Sequence, residues 1–214
     1  MRVPDGPLSG RRAEAARNDQ RILDAAREVF LADPDAPIAA VAHRAGVGIS
    51  ALYRRYESKE DLLRALALDA LAGYIGSLRD ALADERDPWT AYSDCLTRIV
   101  DGRSQVLAQR LAGRFTPTPD LADLAREAGT LADQLHRKAV GQKVLRPDVS
   151  AADIVLILEM IMLVDAPESD DGAALRRRYL SLVLQALRAP GSGPLPGPAA
   201  DPVRLAERWR RRRK

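Results

Sequence analysis

Apolar residues recur at the 3.6-residue period of an amphipathic helix along most of the chain. Between Arg12 and Ala32 the stripe is Ile22, Leu23, Ala26 and Phe30. Asp33-Pro34 stops it, because proline lacks an N–H and clashes with the preceding turn. A short helix follows from Pro37 or Ile38 to Ala45, then a tight turn, Gly46-Val47-Gly48, and a third helix from Ile49 to about Tyr56. Ser58 stands ahead of Lys59-Glu60-Asp61 as an N-cap with acids in the first turn, where the helix dipole favours them. The helix it opens reaches about Ala83, with Leu62, Leu63, Leu66, Leu71, Ile75, Leu78 and Leu82 on its apolar side, until Arg86-Asp87-Pro88 breaks it. Further helices are predicted over Trp89–Val100, Ser104–Arg114, Leu121–Val144, Ala151–Val164 and Ala173–Arg188, nine in all.

After Arg188 the pattern ends. Residues 189–202 hold five prolines and three glycines in fourteen positions and read as a disordered linker. The division expected is a flexible leader (1–10), an N-terminal helical domain (11–60), a larger helical domain (61–188), and a Pro/Gly-rich linker with a basic tail (189–214).

Composition agrees with an all-α fold. Ala and Leu supply 36 and 29 of the 214 residues, and aromatic residues only 4%, so a sandwich or barrel has little to be built from. One cysteine, Cys95, excludes a disulfide framework and reads as a buried small residue; two histidines leave little for a zinc enzyme. No His-x-x-x-His pair or glycine-rich phosphate loop occurs, so no catalytic residue, metal site or cofactor is assigned. The most apolar run, Ile154–Val164, is far shorter than the roughly 20 residues of a membrane span and carries Glu159. The first ten residues lack a signal-peptide core, so a cytoplasmic location is expected, with no membrane partner.

Net charge is only +3, but it is unevenly placed. From His43 to Tyr56 there are three arginines and no acid, and Arg208–Lys214 holds six basic residues in seven. That tail is either a solvated end or a tethered electrostatic arm for DNA phosphates. Arg11, Arg12 and Arg17 divide in the same way between a groove-binding arm and a disordered leader. His43 reads as an exposed structural histidine.

The segment Pro37–Tyr56 reads as a helix-turn-helix. Ile38, Val41, Ala42 and Ala45 face inward, Gly46 lets the chain reverse, and Val47, Leu52 and Tyr56 plug the junction. Ser50, Ala51, Tyr53, Arg54 and Arg55 then point outward, a small-residued, acid-free face suited to a DNA major groove. The block Ile38-Ala-Ala-Val-Ala-His-Arg-Ala-Gly-Val47, Ser50-Ala-Leu-Tyr-Arg-Arg-Tyr56 and Ser58-Lys-Glu-Asp-Leu-Leu63 resembles the N-terminal domain of TetR-family transcriptional regulators. Ala25-Ala-Arg-Glu-Val-Phe30 fits as well, and Arg103–Ile157 has a looser similarity to the SbtR-like subgroup.

The resemblance implies a homodimeric repressor that binds a palindromic operator in double-stranded DNA and is released by a small-molecule effector. Carried over by position, it places Ser50 and Ala51 at bases, and Tyr53, Arg55 and Lys59 at phosphates, with Arg44 and Arg54 as neighbours. Gly48 stands where the family has Ser or Thr, and Pro37 where it has Thr, so one hydroxyl contact is lost. An architectural DNA-binding protein without ligand response is the alternative.

The helices around 151–164 and 173–188 are too apolar for a monomer to cover, which points to an intersubunit four-helix bundle. Glu159 within them is either an arginine's partner at the interface or a cavity residue that selects a cationic or hydroxylated ligand. Trp89, Tyr92, Leu96, Phe115, Leu135 and Glu159 are the candidate pocket residues.

Overall fold

The computed structural model describes residues 7–103, 107, 111, 113–164, 171–191 and 193–201, with the backbone alone for 7–13 and 171. Among these, eight helices follow in order: α1 (Pro7–Ala32), α2 (Ile38–Ala45), α3 (Ile49–Arg55), α4 (Lys59–Ala83), α5 (Pro88–Gly102), α6 (Pro119–Gly141), α7 (Ala151–Met162) and α8 (Asp171–Leu187). The protein is all-α, and its only β-type pairing among the described residues is one bridge, Leu145 with Arg188. The helix predicted at Ser104–Arg114 lies largely outside them, although Leu107 and Leu111 are helical and fully buried. The first helix begins five residues earlier than its stripe suggested, at Pro7, an acceptable first helical residue.

Local chemistry fixes the helix ends. Ser58 Oγ accepts from the Asp61 N–H at 3.1 Å to open α4. Asp87 does the same for α5, accepting from Thr90 N at 2.9 Å, with Pro88 behind it. Ser150 and Asp153 form a reciprocal capping box at α7.

The 25-residue α4 is the spine. Its first turns pack against α1, and its length lies against α5 and α6. Contacts give the spine two distinct ends. Thr116, just before α6, donates its N–H to Glu60 at 2.9 Å beside the head of α4. At the other end, Lys138 Nζ in α6 donates to Leu82 O at 2.9 Å. The core runs continuously from Phe30, Val41 and Leu52 through Leu62, Leu66 and Leu78 to Cys95, Leu135 and Leu158.

The linker expectation is corrected. The described residues of 189–201 form no helix, but they are held against the start of α7. Buried Arg146 grips Asp148 through two nitrogens (2.6 and 2.8 Å) and donates to Gly193 O at 2.5 Å. Leu195 N donates to Asp148 at 3.0 Å, and Ala200 N to Asp153 at 2.9 Å. Proline and glycine deny the segment a helix; the charged side chains of Arg146, Asp148 and Asp153 then satisfy its backbone. The basic run 208–214 lies outside the described residues. No helix among the described residues is long and apolar enough to cross a membrane.

Candidate nucleic-acid interface

Two glycines position α3. Gly46 ends α2 in the left-handed region (φ 66°), where its N–H donates to His43 O at 3.1 Å and the next N–H to Ala42 O at 3.0 Å. A side chain there would be strained, and its Cβ would sit 3.3 Å from Arg21 Nη2. Arg21 itself reaches from α1 to cap α2, donating to Ala45 O at 2.8 Å. Gly48 is the extended N-cap of α3 without a side-chain cap bond, as its replacement of Ser or Thr implies. Fully buried Leu52 and buried Tyr56 pin the inner side of the helix.

Gly48, Ser50, Tyr53, Arg54 and Arg55 are exposed on the outer side and Ala51 is half-buried. Tyr53 has 46% of its surface free. The α3 sequence, ISALYRR, contains no acid. The helix therefore presents a small leading turn followed by a hydroxyl and two guanidinium groups.

The basic residues are not equally available. Arg55 donates through Nε and Nη2 to both oxygens of Asp19 in α1, each at 2.8 Å, and stacks over the Tyr56 ring at 5.1 Å. Tyr56 OH donates to the same carboxylate at 2.6 Å. Partial desolvation pushes the Asp19 carboxyl up, but the bonds from Arg55 and Tyr56 outweigh it and hold it below its usual range. Burial, reinforced by Asp19, pushes the Tyr56 hydroxyl well above the usual phenol range. Lys59 Nζ donates to Ala36 O at 2.7 Å over the face of Phe30, and so ties α4 to the α1–α2 loop. Arg44 pairs with Glu28 on the open surface. Arg54 and Tyr53 have no hydrogen-bond partner among the described residues. Asp19 carried no sequence signal, because its partners lie 36 and 37 residues away. His43 and Arg17 are exposed, and the side chains of Arg11 and Arg12 lie outside the described residues.

A cavity of about 580 Å³ opens at the far end of the body, between the last turn of α4, the 84–88 loop, the start of α5 and the last turns of α6. Of the candidate pocket residues, Tyr92 and Leu135 line it. Trp89, Leu96, Phe115 and Glu159 do not. Leu96 is buried core and Phe115 packs against that core. Trp89 stacks on Tyr92 (centroids 6.2 Å apart) beneath Arg188, and Glu159 is buried on α7. Apolar side chains fill the interior, so space is left where helix ends and a polar loop meet. Asp84, Arg86, Lys138 and Gln142 line it from those ends and were not anticipated. Arg86 bonds and the Arg86 backbone hold the Asp84 carboxyl down at about 2.

Comparison with known proteins covers both halves. The model of a family described as bacterial regulatory proteins of the tetR family matches residues 22–66. A solved TetR transcriptional regulator, SCO0520 of Streptomyces coelicolor, is 30% identical over 79% of this chain and 98% of its own, with a TM-score of 0.57. The solved TetR-like regulator LfrR of Mycobacterium smegmatis, in complex with proflavine, is 23% identical over 84% of this chain and 99% of its own, with a TM-score of 0.60. At that identity the likeness is one of fold. By sequence, the transcriptional repressor LfrR of Mycolicibacterium smegmatis is 36% identical over 88 residues, 41% of this chain. That match spans only 44% of the repressor's own length.

Proposed function

The chain belongs to the TetR family of bacterial regulatory proteins, and from that premise we propose that it is a homodimeric transcriptional repressor. It binds a palindromic operator in double-stranded DNA and is released by a small-molecule effector. One observation carries the reading: α3 is anchored by Leu52 and Tyr56 and offers an exposed, acid-free outer face behind a glycine N-cap. Such a helix enters a major groove roughly 12 Å wide with its first turn toward base edges.

Gly48, Ser50 and Ala51 form the close-approach turn, Tyr53 and Arg54 contact phosphates, and Arg44 sits at the rim. Arg55 keeps Nη1 free of its bonds to Asp19, and Lys59 keeps a third N–H beyond the Pro34 and Ala36 carbonyls, so each meets a phosphate from its anchored position. The head comprises residues 11–60, and the body, residues 61–188, supplies effector binding and dimerisation.

Dimerisation uses α7 and α8. Leu163 beside the end of α7 is 74% exposed and Met160 61%, while Tyr179 and Leu182 are exposed on α8. Two such faces bury one another as a four-helix bundle between protomers. The effector site is the 580 Å³ cavity lined by Tyr92 and Leu135.

Selection of bound duplexes from a random DNA pool tests the proposal. Enrichment of a two-fold symmetric site with half-sites about 34–36 Å apart is expected. A pool that stays random after repeated selection overturns it.

A further inference from the structure

A second cavity, of about 310 Å³, lies where α1 meets the helical body. Arg27 comes from α1, Asp69, Gly73 and Tyr74 from α4, and Arg98 and Ile99 from α5. The wall is low at Gly73, where an added Cβ would meet nothing within 4 Å.

Unused hydrogen-bond donors gather here. Arg27 donates through Nη1 to Asp24 at 3.0 Å and through Nη2 to Asp69 at 2.5 Å, but its buried Nε has no acceptor. Buried N–H groups in native proteins are nearly always met by protein, water or an ion, so an orphaned one beside a cavity points to a missing acceptor. Burial pushes the Tyr74 hydroxyl up to about 12, so at neutral pH it is protonated and can donate. Arg98 makes one long contact, Nη2 to Ser77 O at 3.4 Å, and has no carboxylate within ion-pair distance among the described residues.

The charges decide the ligand's sign. Exposed Asp24, outside the lining, and Asp69 share Arg27, so the charged groups that line the cavity are two guanidinium groups, Arg27 and Arg98, and one carboxylate, Asp69. Ala70, Ala72, Gly73 and Ile99 supply the apolar part of the lining, and Ser77 adds a polar side chain. We propose that this cavity is a binding site for a small monocarboxylate with a flat apolar body. The carboxylate pairs with Arg98 and accepts from Tyr74 and Arg27, and the body lies on Gly73, Ala70 and Ile99. Nothing in this depends on DNA binding, so the site stands or falls separately from the repressor reading.

The test is calorimetric titration of the full chain with benzoate, against benzamide and benzylamine as neutral and cationic counterparts. Saturable binding of benzoate, one per chain, is expected, with neither counterpart binding over the same range. Arg98→Met, an exposed and fold-neutral change, lowers benzoate affinity about tenfold or more. Gly73→Phe, which fills the space, abolishes it, whereas Lys138→Met at the larger cavity leaves it unchanged. No saturable benzoate binding, equal binding of benzamide, or an Arg98→Met variant that binds as well as the parent overturns the proposal.

Discussion

Deleting residues 202–214 removes seven basic groups and one acid, yet operator affinity is expected to keep its salt dependence. The reason is where the tail starts. Ala200 is bonded to Asp153 and Ser150 at the opening of α7. That opening follows the end of α6, where Lys138 reaches the last turn of α4. The reading head sits at the opposite end of α4, beyond Lys59. The 25 residues of α4 separate the two ends by about 37 Å at 1.5 Å per residue. A recognition helix lying across the top adds on the order of 10 Å. Thirteen residues, fully extended, reach at most about 43–47 Å, and Arg208 only about 23–25 Å. Only the last residues of a completely stretched tail could touch the operator, with all of its chain entropy lost. If all six basic groups of 208–214 neutralised phosphates in each protomer, deletion would flatten the log affinity against log salt slope by about 11 for a dimer. The geometry predicts a change below about 1. Fluorescence anisotropy of a labelled operator across a salt series reads this directly. A slope that falls by more than about 2 would refute the placement of the tail.

Four other outcomes are expected. Arg54→Gln lowers the salt slope by about 1.8, one phosphate in each of two heads, and leaves the melting temperature unchanged in the same anisotropy and melting assays. Gly46→Val forces a β-branched residue into φ 66° and against Arg21; about 2 kcal/mol of lost stability lowers Tm by about 4–8 °C in a calorimetric scan. Leu163→Glu with Leu182→Arg converts the dimer to a monomer in sedimentation equilibrium, and an unchanged dimer mass would show that α7 and α8 do not form the interface. Arg146 holds the Asp148 carboxyl well below the usual carboxylate range, so its contribution is complete above the unfolded value near 4 and fades as pH falls toward the folded one. Limited proteolysis with an acid protease should therefore leave residues 189–201 protected at pH 5 and cut there near pH 2, and Asp148→Asn should open them at both.

The parts legible in the sequence are those whose causes are local. Gly46, Gly48, Ser58 and the Leu52 and Tyr56 spacing are short-range signals, and α2, α3 and the start of α4 fall where they indicate. Residues 189–201 were misread because the groups that order them, Arg146, Asp148 and Asp153, lie 40 to 50 residues upstream. Composition excludes a helix there; it cannot exclude order. The candidate pocket residues and the lining of the cavity differ for a related reason. Leu96 and Phe115 are as apolar as any cavity wall, and only their neighbours show that they fill the core. The same limit applies to charge: the sequence shows three arginines near the turn but not that Asp19 already holds Arg55.

Hydroxyl-radical footprinting of the full chain on a duplex recovered from random-pool selection tests the central claim most directly. The account predicts a discrete footprint, two-fold symmetric, with its two protected patches about one helical turn apart and lost on Tyr53→Ala with Arg54→Ala. Uniform protection along the duplex, or a footprint indifferent to those substitutions, would contradict it.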